Sequence, residues 1–153
     1  MSAIRNSDFT IANEPLEPEA LKRELLNHHS GAFIAFEGWV RNHNEGQGVD
    51  LLEYSAYKPL AEKEGSRVVA EAIEKFDIVG ASCAHRIGSL NLGGIAVWVG
   101  VASAHRGPGF KACQYIIDEV KARVPIWKKE HYQGGDTGWV NCHANPQTTP
   151  PNA

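Results

Sequence analysis

The chain has 153 residues, a net charge of -3, and a balance of 42% hydrophobic to 22% charged residues. That length fits one domain with a core of its own, and the charge leaves no global basic field for nucleic acid, so any anion site must be a local cluster. Three cysteines, Cys83, Cys113 and Cys142, occur without a CxxC pair, which argues against a disulfide scaffold or a Cys-rich metal site and for a reducing, cytoplasmic setting.

In chain order, MSAIRNSDF at the start has no apolar stretch of the kind a signal peptide carries. DFTIA (8–12) predicts a short strand. Residues 17–31 predict a helix, with Pro18 near its start, Leu21, Leu25 and Leu26 on one face, and Gly31 as its stop. AFIAFEGWVR (32–41) predicts a strand, NHNEGQG (42–48) a polar loop, and VDLLEYSAY (49–57) a second strand paired with the first across that loop. Residues 59–76 predict a helix whose apolar positions Val68, Val69, Ala72, Ile73 and Phe76 recur at helical spacing, with Gly65 as a weak point.

Residues 77–88 predict a strand running into a turn. IAVWVGVASA (95–104) predicts a buried strand, its apolar run far below the roughly 20 residues of a membrane span. Residues 107–124 predict a second long helix with a core stripe of Phe110, Cys113, Ile117, Val120 and Val124. Pro125 ends it, PIWKKEHY (125–132) is extended, and 134–140 form a turn and a short strand. Residues 145–153 read as a disordered tail behind a single domain at 1–144. The mixture predicts an α+β fold, mostly antiparallel sheet with helices packed on it.

Candidate chemistry gathers at a few places. His105-Arg106 sits between a buried strand and a helix start, where unpaired backbone N–H groups and the helix dipole favour an anion. A helix cap with a solvated arginine is the plain alternative. The other such pair, His85-Arg86, lacks a following helix and reads as structural. Arg41 closes a strand before a glycine-containing loop, and Lys121 lies on the border of a helical apolar stripe; each alone reads as a surface cation. In an extended segment Lys128 points with Ile126 and Glu130, whereas Lys129 points with Trp127. No GxSxG, Walker, GxGxxG or HExxH motif is present, and the histidines lack a metal-ligand spacing.

FEGWVRNHN, HRIGSL, VWVGVASAHRGPGF and VPIWKKE, in this order, resemble the large, catalytic subunit of molybdopterin synthase from about Gly31 to Val140. The resemblance implies an α/β hammerhead-type fold, a homodimer, and a small ubiquitin-like sulfur-carrier subunit on each protomer, completing a heterotetramer. It implies conversion of cyclic pyranopterin monophosphate to molybdopterin, with sulfur supplied as a thiocarboxylate on the carrier's C-terminal glycine, and no metal or cofactor. Carried over by position, the substrate pocket falls on Arg41, His105, Arg106, Lys121 and Lys128, flanked by Trp39, Val40, Lys129 and Glu130, with Lys121 and Lys128 as the catalytic pair. Two other readings remain: a phosphoesterase-like enzyme on a nucleotide-like ester, which would need a nucleophile or metal, and a non-catalytic scaffold for a ubiquitin-like partner.

Overall fold

The computed structural model describes residues 7–44, 47–132, 135–136 and 139–141. In chain order the elements are β1 (Ser7–Ala12), α1 (Pro18–Leu25), β2 (Ala32–Trp39), β3 (His43–Asn44), β4 (Gln47–Ala56), α2 (Lys58–Lys75) and β5 (Gly80–Arg86), followed by β6 (Gly88–Asn91), β7 (Ile95–Ser103), α3 (Arg106–Arg123), β8 (Ile126–Tyr132), β9 (Gly135–Asp136) and β10 (Val140–Asn141). The architecture is α+β, as expected. The segment 145–153 lies outside the described residues. Among the described residues no helix is long and apolar enough to cross a membrane.

Two sheets organise the chain. The first runs β1-β5-β7-β2, parallel only between β1 and β5. The second is antiparallel: β4 lies between β6 and β8, with β3 pairing β4, and β9 and β10 pairing β8. On one face of the first sheet Cys83, Val97, Val99 and Val101 meet the apolar faces of α2 and α3, including Val68, Val69, Ile116 and Val120. Each such buried side chain contributes roughly 1.5–3 kcal/mol. On the other face Trp98 and Ala102 pack with Leu25 of α1. A smaller cluster of Val40, Leu90 and Ala96 joins the two sheets.

Several expectations are corrected. The first helix ends at Leu25, not at Gly31. Asn27 Oδ1 accepts from the backbone N–H of His29 and from Ser30 Oγ, a local turn that competes with helix. Gly31 instead donates its N–H to Ser103 O, and a Cβ there would meet the Ala104 carbonyl oxygen at 2.8 Å. The strands on either side of the polar loop do not pair with each other: β2 pairs β7, while β4 belongs to the second sheet. The register shifts at Gly38/Trp39, and Val40 exchanges backbone hydrogen bonds with Gly93 and Gly94, which pins the chain where it leaves the first sheet.

β6, unforeseen, starts at Gly88, whose φ of +98° is the left-handed conformation glycine tolerates. Phe110, expected in the stripe of α3, is exposed, and Ala112 and Ile116 take their places beside Cys113, Ile117 and Val120. Gly65, the weak point of α2, is required by packing: a Cβ there would overlap the Phe9 ring of β1. α2 and α3 are also clamped by charge. Arg123 donates to Glu64, Glu71 and Glu119, and Tyr115 donates to Glu71 at 2.8 Å.

Candidate functional site

The site is built where the two sheets and α3 converge. Pairing aligns Gly38 of β2 with Val97 of β7, and Val97 with His85 of β5. Directly paired residues share a face, so these three form one rung across the first sheet, and this rung floors a cavity of about 320 Å³. Gly38 leaves room in the rung, because a Cβ there would meet Val97 Cγ1 at 2.7 Å. One wall comes from the last turns of α3: Ile117, Val120, Lys121, and Val124 just beyond. The second sheet supplies the other. Tyr54 and Lys128 are paired across β4 and β8, and both line the cavity together with Ile126. Trp39 stands at the cavity, 67% exposed, its Nε1 donating to Glu37 Oε1 at 2.8 Å.

The alternation expected in PIWKKE holds with one addition. Lys128 shares its side of β8 with Glu130, whose buried carboxylate lies 3.2 Å from Lys128 Nζ. Lys129 lies opposite Glu53, on the other side of the strand from Lys128. Glu53 also contacts His131 Nε2 at 2.6 Å. Trp127 and Ile126 are both buried, so β8 is covered on both faces at this point.

The structure therefore gathers Trp39, Lys121 and Lys128 on one cavity. Val40 is a core residue beside Leu90 and Ala96. Arg41 is exposed and lines neither this cavity nor the cleft at the other end of α3. His105 and Arg106 line that second cleft, with Gly31, Ala32 and Pro108. His105 is the N-cap of α3, makes no capping bond through its side chain, and is followed by a first turn without an acidic residue. The helix start thus keeps its positive end uncompensated beside a guanidinium. Arg106 and Lys121 are fifteen residues apart on one helix, about 22 Å along its axis at 1.5 Å per residue.

Two cavity residues escaped sequence reasoning: His85 and Tyr54. His85 Nδ1 lies 2.9 Å from Arg86 O, and the imidazole meets the Tyr54 ring edge-on with centroids 4.9 Å apart. Burial, and secondarily the charge of Lys121, push its pKa down to about 4 despite the backbone hydrogen bond, so it is neutral at neutral pH. The signal was the HRIG motif itself, but only the fold turns it toward Lys121. The described cysteines are buried and inert: burial raises Cys83 far above its ordinary value and pushes Cys113 up to about 11. Cys142 lies outside the described residues.

A small-molecule cavity fringed by two ammonium groups, on an α+β frame without a thiolate among the described residues, has the features of a site for an anionic small molecule. Comparison with known proteins narrows the class. The family model of the MoaE protein matches residues 11–123. The molybdopterin synthase catalytic subunit of Thermoplasma volcanium is 40% identical over 134 residues, which cover 88% of this chain and 98% of that protein. The crystal structure of molybdopterin synthase from Staphylococcus aureus superposes with a TM-score of 0.80 at 36% identity, covering 89% of this chain and 97% of that one. A Helicobacter pylori complex of subunits 1 and 2 of molybdopterin-converting factor, 20% identical with a TM-score of 0.71 over 93% of each chain, shares the fold. The chain belongs to the MoaE protein family.

Proposed function

We propose that the chain is the catalytic subunit of a molybdopterin synthase, converting cyclic pyranopterin monophosphate to molybdopterin with sulfur from a thiocarboxylated, ubiquitin-like carrier. The observation that carries this reading is the presence of Lys121 and Lys128 on one small cavity. Both reactants are anions, and bringing them together requires fixed positive charge between them. In each transfer the carrier's thiocarboxylate sulfur bonds to a side-chain carbon of the pterin as a carbon–oxygen bond breaks: in one transfer the oxygen stays on the phosphate, whose ring opens to a monoester, and in the other it leaves as water. Water then cleaves the acyl–sulfur bond, leaving the thiol on the product and a carboxylate on the carrier. Lys121 steers the acyl terminus; Lys128, oriented by Glu130, stabilises charge as sulfur attacks and oxygen departs. The buried thiols of Cys83 and Cys113 fit a reaction whose sulfur arrives on a partner.

The 22 Å between the two ends of α3 is too long for one protomer to bring His105, Arg106, Lys121 and Lys128 to one small substrate. A homodimer in which each protomer lends its His105-Arg106 end to its partner's cavity reconciles them, with Arg41 and Trp39 at the seam. The carrier tail enters beside Trp39, and the assembly works in the cytoplasm, as one domain over 1–144. The test is to mix the chain, thiocarboxylated carrier and cyclic pyranopterin monophosphate and look for the dithiolene by mass spectrometry. The expected result is a product carrying two sulfurs; unchanged substrate would overturn the reading. Phosphate release from simple esters without a carrier would favour a phosphoesterase instead.

A further inference from the structure

We propose that His85 is a substrate-contacting residue, its Nε2 accepting a hydrogen bond from an N–H or O–H of the heterocycle that enters the cavity. The inference rests on the proposed function and adds to it a neutral acceptor that the two lysines cannot supply.

Position comes first. His85 belongs to the floor rung with Val97 and Gly38, and pairing, not a loop, sets where its ring stands. The ring is 7% exposed and forms part of the cavity lining. Its orientation is held on two sides, by Arg86 O at Nδ1 and by the edge-on Tyr54 ring.

The protonation pattern follows. A carbonyl oxygen only accepts, so Nδ1 carries the proton and donates to Arg86 O, which leaves the lone pair on Nε2. The low pKa keeps the ring neutral under physiological conditions, so its role is that of an acceptor and not of a third cation. Nε2 has no hydrogen-bond partner among the described residues. Among the described residues Arg86 Nε, not His85 Nε2, is the fully buried side-chain atom without a partner, so Nε2 is open to the cavity, where water or a ligand pairs it.

The ligand chemistry is complementary. Ammonium groups only donate, so Lys121 and Lys128 answer the anionic parts of the reactants. A pterin also presents ring N–H and amino donors, and these need an acceptor inside the cavity.

The test titrates the full wild-type chain and its variants with cyclic pyranopterin monophosphate and follows both binding and turnover with thiocarboxylated carrier. His85→Phe keeps the ring and its contact with Tyr54 but removes both the acceptor and the Nδ1 donor to Arg86 O, so its unfolding temperature, expected to fall by only a few degrees, is measured beside its affinity to show that the fold is kept. Its affinity for the pterin is expected to fall about tenfold, the scale of one buried hydrogen bond, with the dependence on carrier concentration unchanged. His85→Gln, which returns an acceptor near Nε2, is expected to recover most of the loss. In 15N-histidine-labelled wild-type protein, the His85 Nε2 resonance is expected to move upfield when the pterin binds. An Nε2 signal unmoved at saturation, a His85→Phe chain that binds within about twofold of wild type, or a His85→Gln chain no better than His85→Phe would each overturn the proposal. Wild-type protein that binds the pterin normally yet forms no dithiolene would overturn the proposed function and leave this contact standing.

Discussion

The two ends of α3 solve opposite problems with the same kinds of residue. At the start, Arg106 follows an N-cap without a side-chain bond, in a first turn that holds no acidic residue. A cation at that end opposes the helix dipole, so it weakens the helix unless an anion arrives. At the far end Lys121 and Arg123 sit in the last turn, where the dipole favours them. Arg123 is spent on a clamp to α2, whereas Lys121 overhangs the cavity. A cation that costs helix stability points to a ligand more directly than one the helix welcomes. The second kind is recognised only by what lies beneath it.

Substitution at the cavity end should show the largest effect. Lys128→Ala and Lys121→Ala are each expected to lower dithiolene formation by about 100-fold or more, the scale of a lost charge-stabilising group. Lys129→Ala, on the opposite side of β8, should change it by no more than about threefold, as a surface charge does. Equal losses at 128 and 129, measured by single-turnover product formation, would break the distinction between the two faces.

The other end is tested by mixing. Chains carrying Arg106→Ala and chains carrying Lys128→Ala should each be nearly inactive alone. Co-refolded, they should recover about a quarter of wild-type activity, since half of randomly formed twofold dimers are mixed and each mixed dimer holds one intact composite site. No recovery would mean that each protomer uses its own Arg106.

Two smaller effects concern the frame. Gly38→Ala places a Cβ 2.7 Å from Val97 Cγ1. It should cost about 1–3 kcal/mol by overpacking, read as a lower denaturation midpoint, and should narrow the cavity as well. Arg123→Ala should leave turnover intact and cost about 1 kcal/mol, because its partners are partly solvated. Hydrogen bonds from Arg123, then Tyr115, hold Glu71 down to about 2, from an ordinary value of 4.5. A depressed carboxylate stabilises the fold above its unfolded pKa, and that contribution is lost as pH falls from about 4.5 toward 2. Denaturant titrations across this window should show a shallower loss in Arg123→Ala than in the wild type.

The helices α2 and α3 were legible because apolar spacing is local: Val68, Val69, Ala72 and Ile73 declare a face without reference to anything distant. Strand partnership was not. β2 and β4 are joined by a short connection and look like a hairpin, yet the bulge at Gly38/Trp39 and the tie of Val40 to Gly93 and Gly94 send the chain to a different sheet. Of the candidate site, the identities of Lys121, Lys128, His105 and Arg106 were readable through a family resemblance. Their division between two ends of one helix was not, because a motif records order along the chain and not distance. His85 was set aside as structural since nothing in HRIG says which wall its ring joins; that depends on pairing with β7.

The rung Gly38–Val97–His85 carries a further consequence for how such a cavity can diverge. Its three residues stand in line only because three strands keep one register, and a single inserted or deleted residue in any of them would turn that strand's side chains to the opposite face. Variation in the floor is therefore confined to exchanging one side chain for another at constant length.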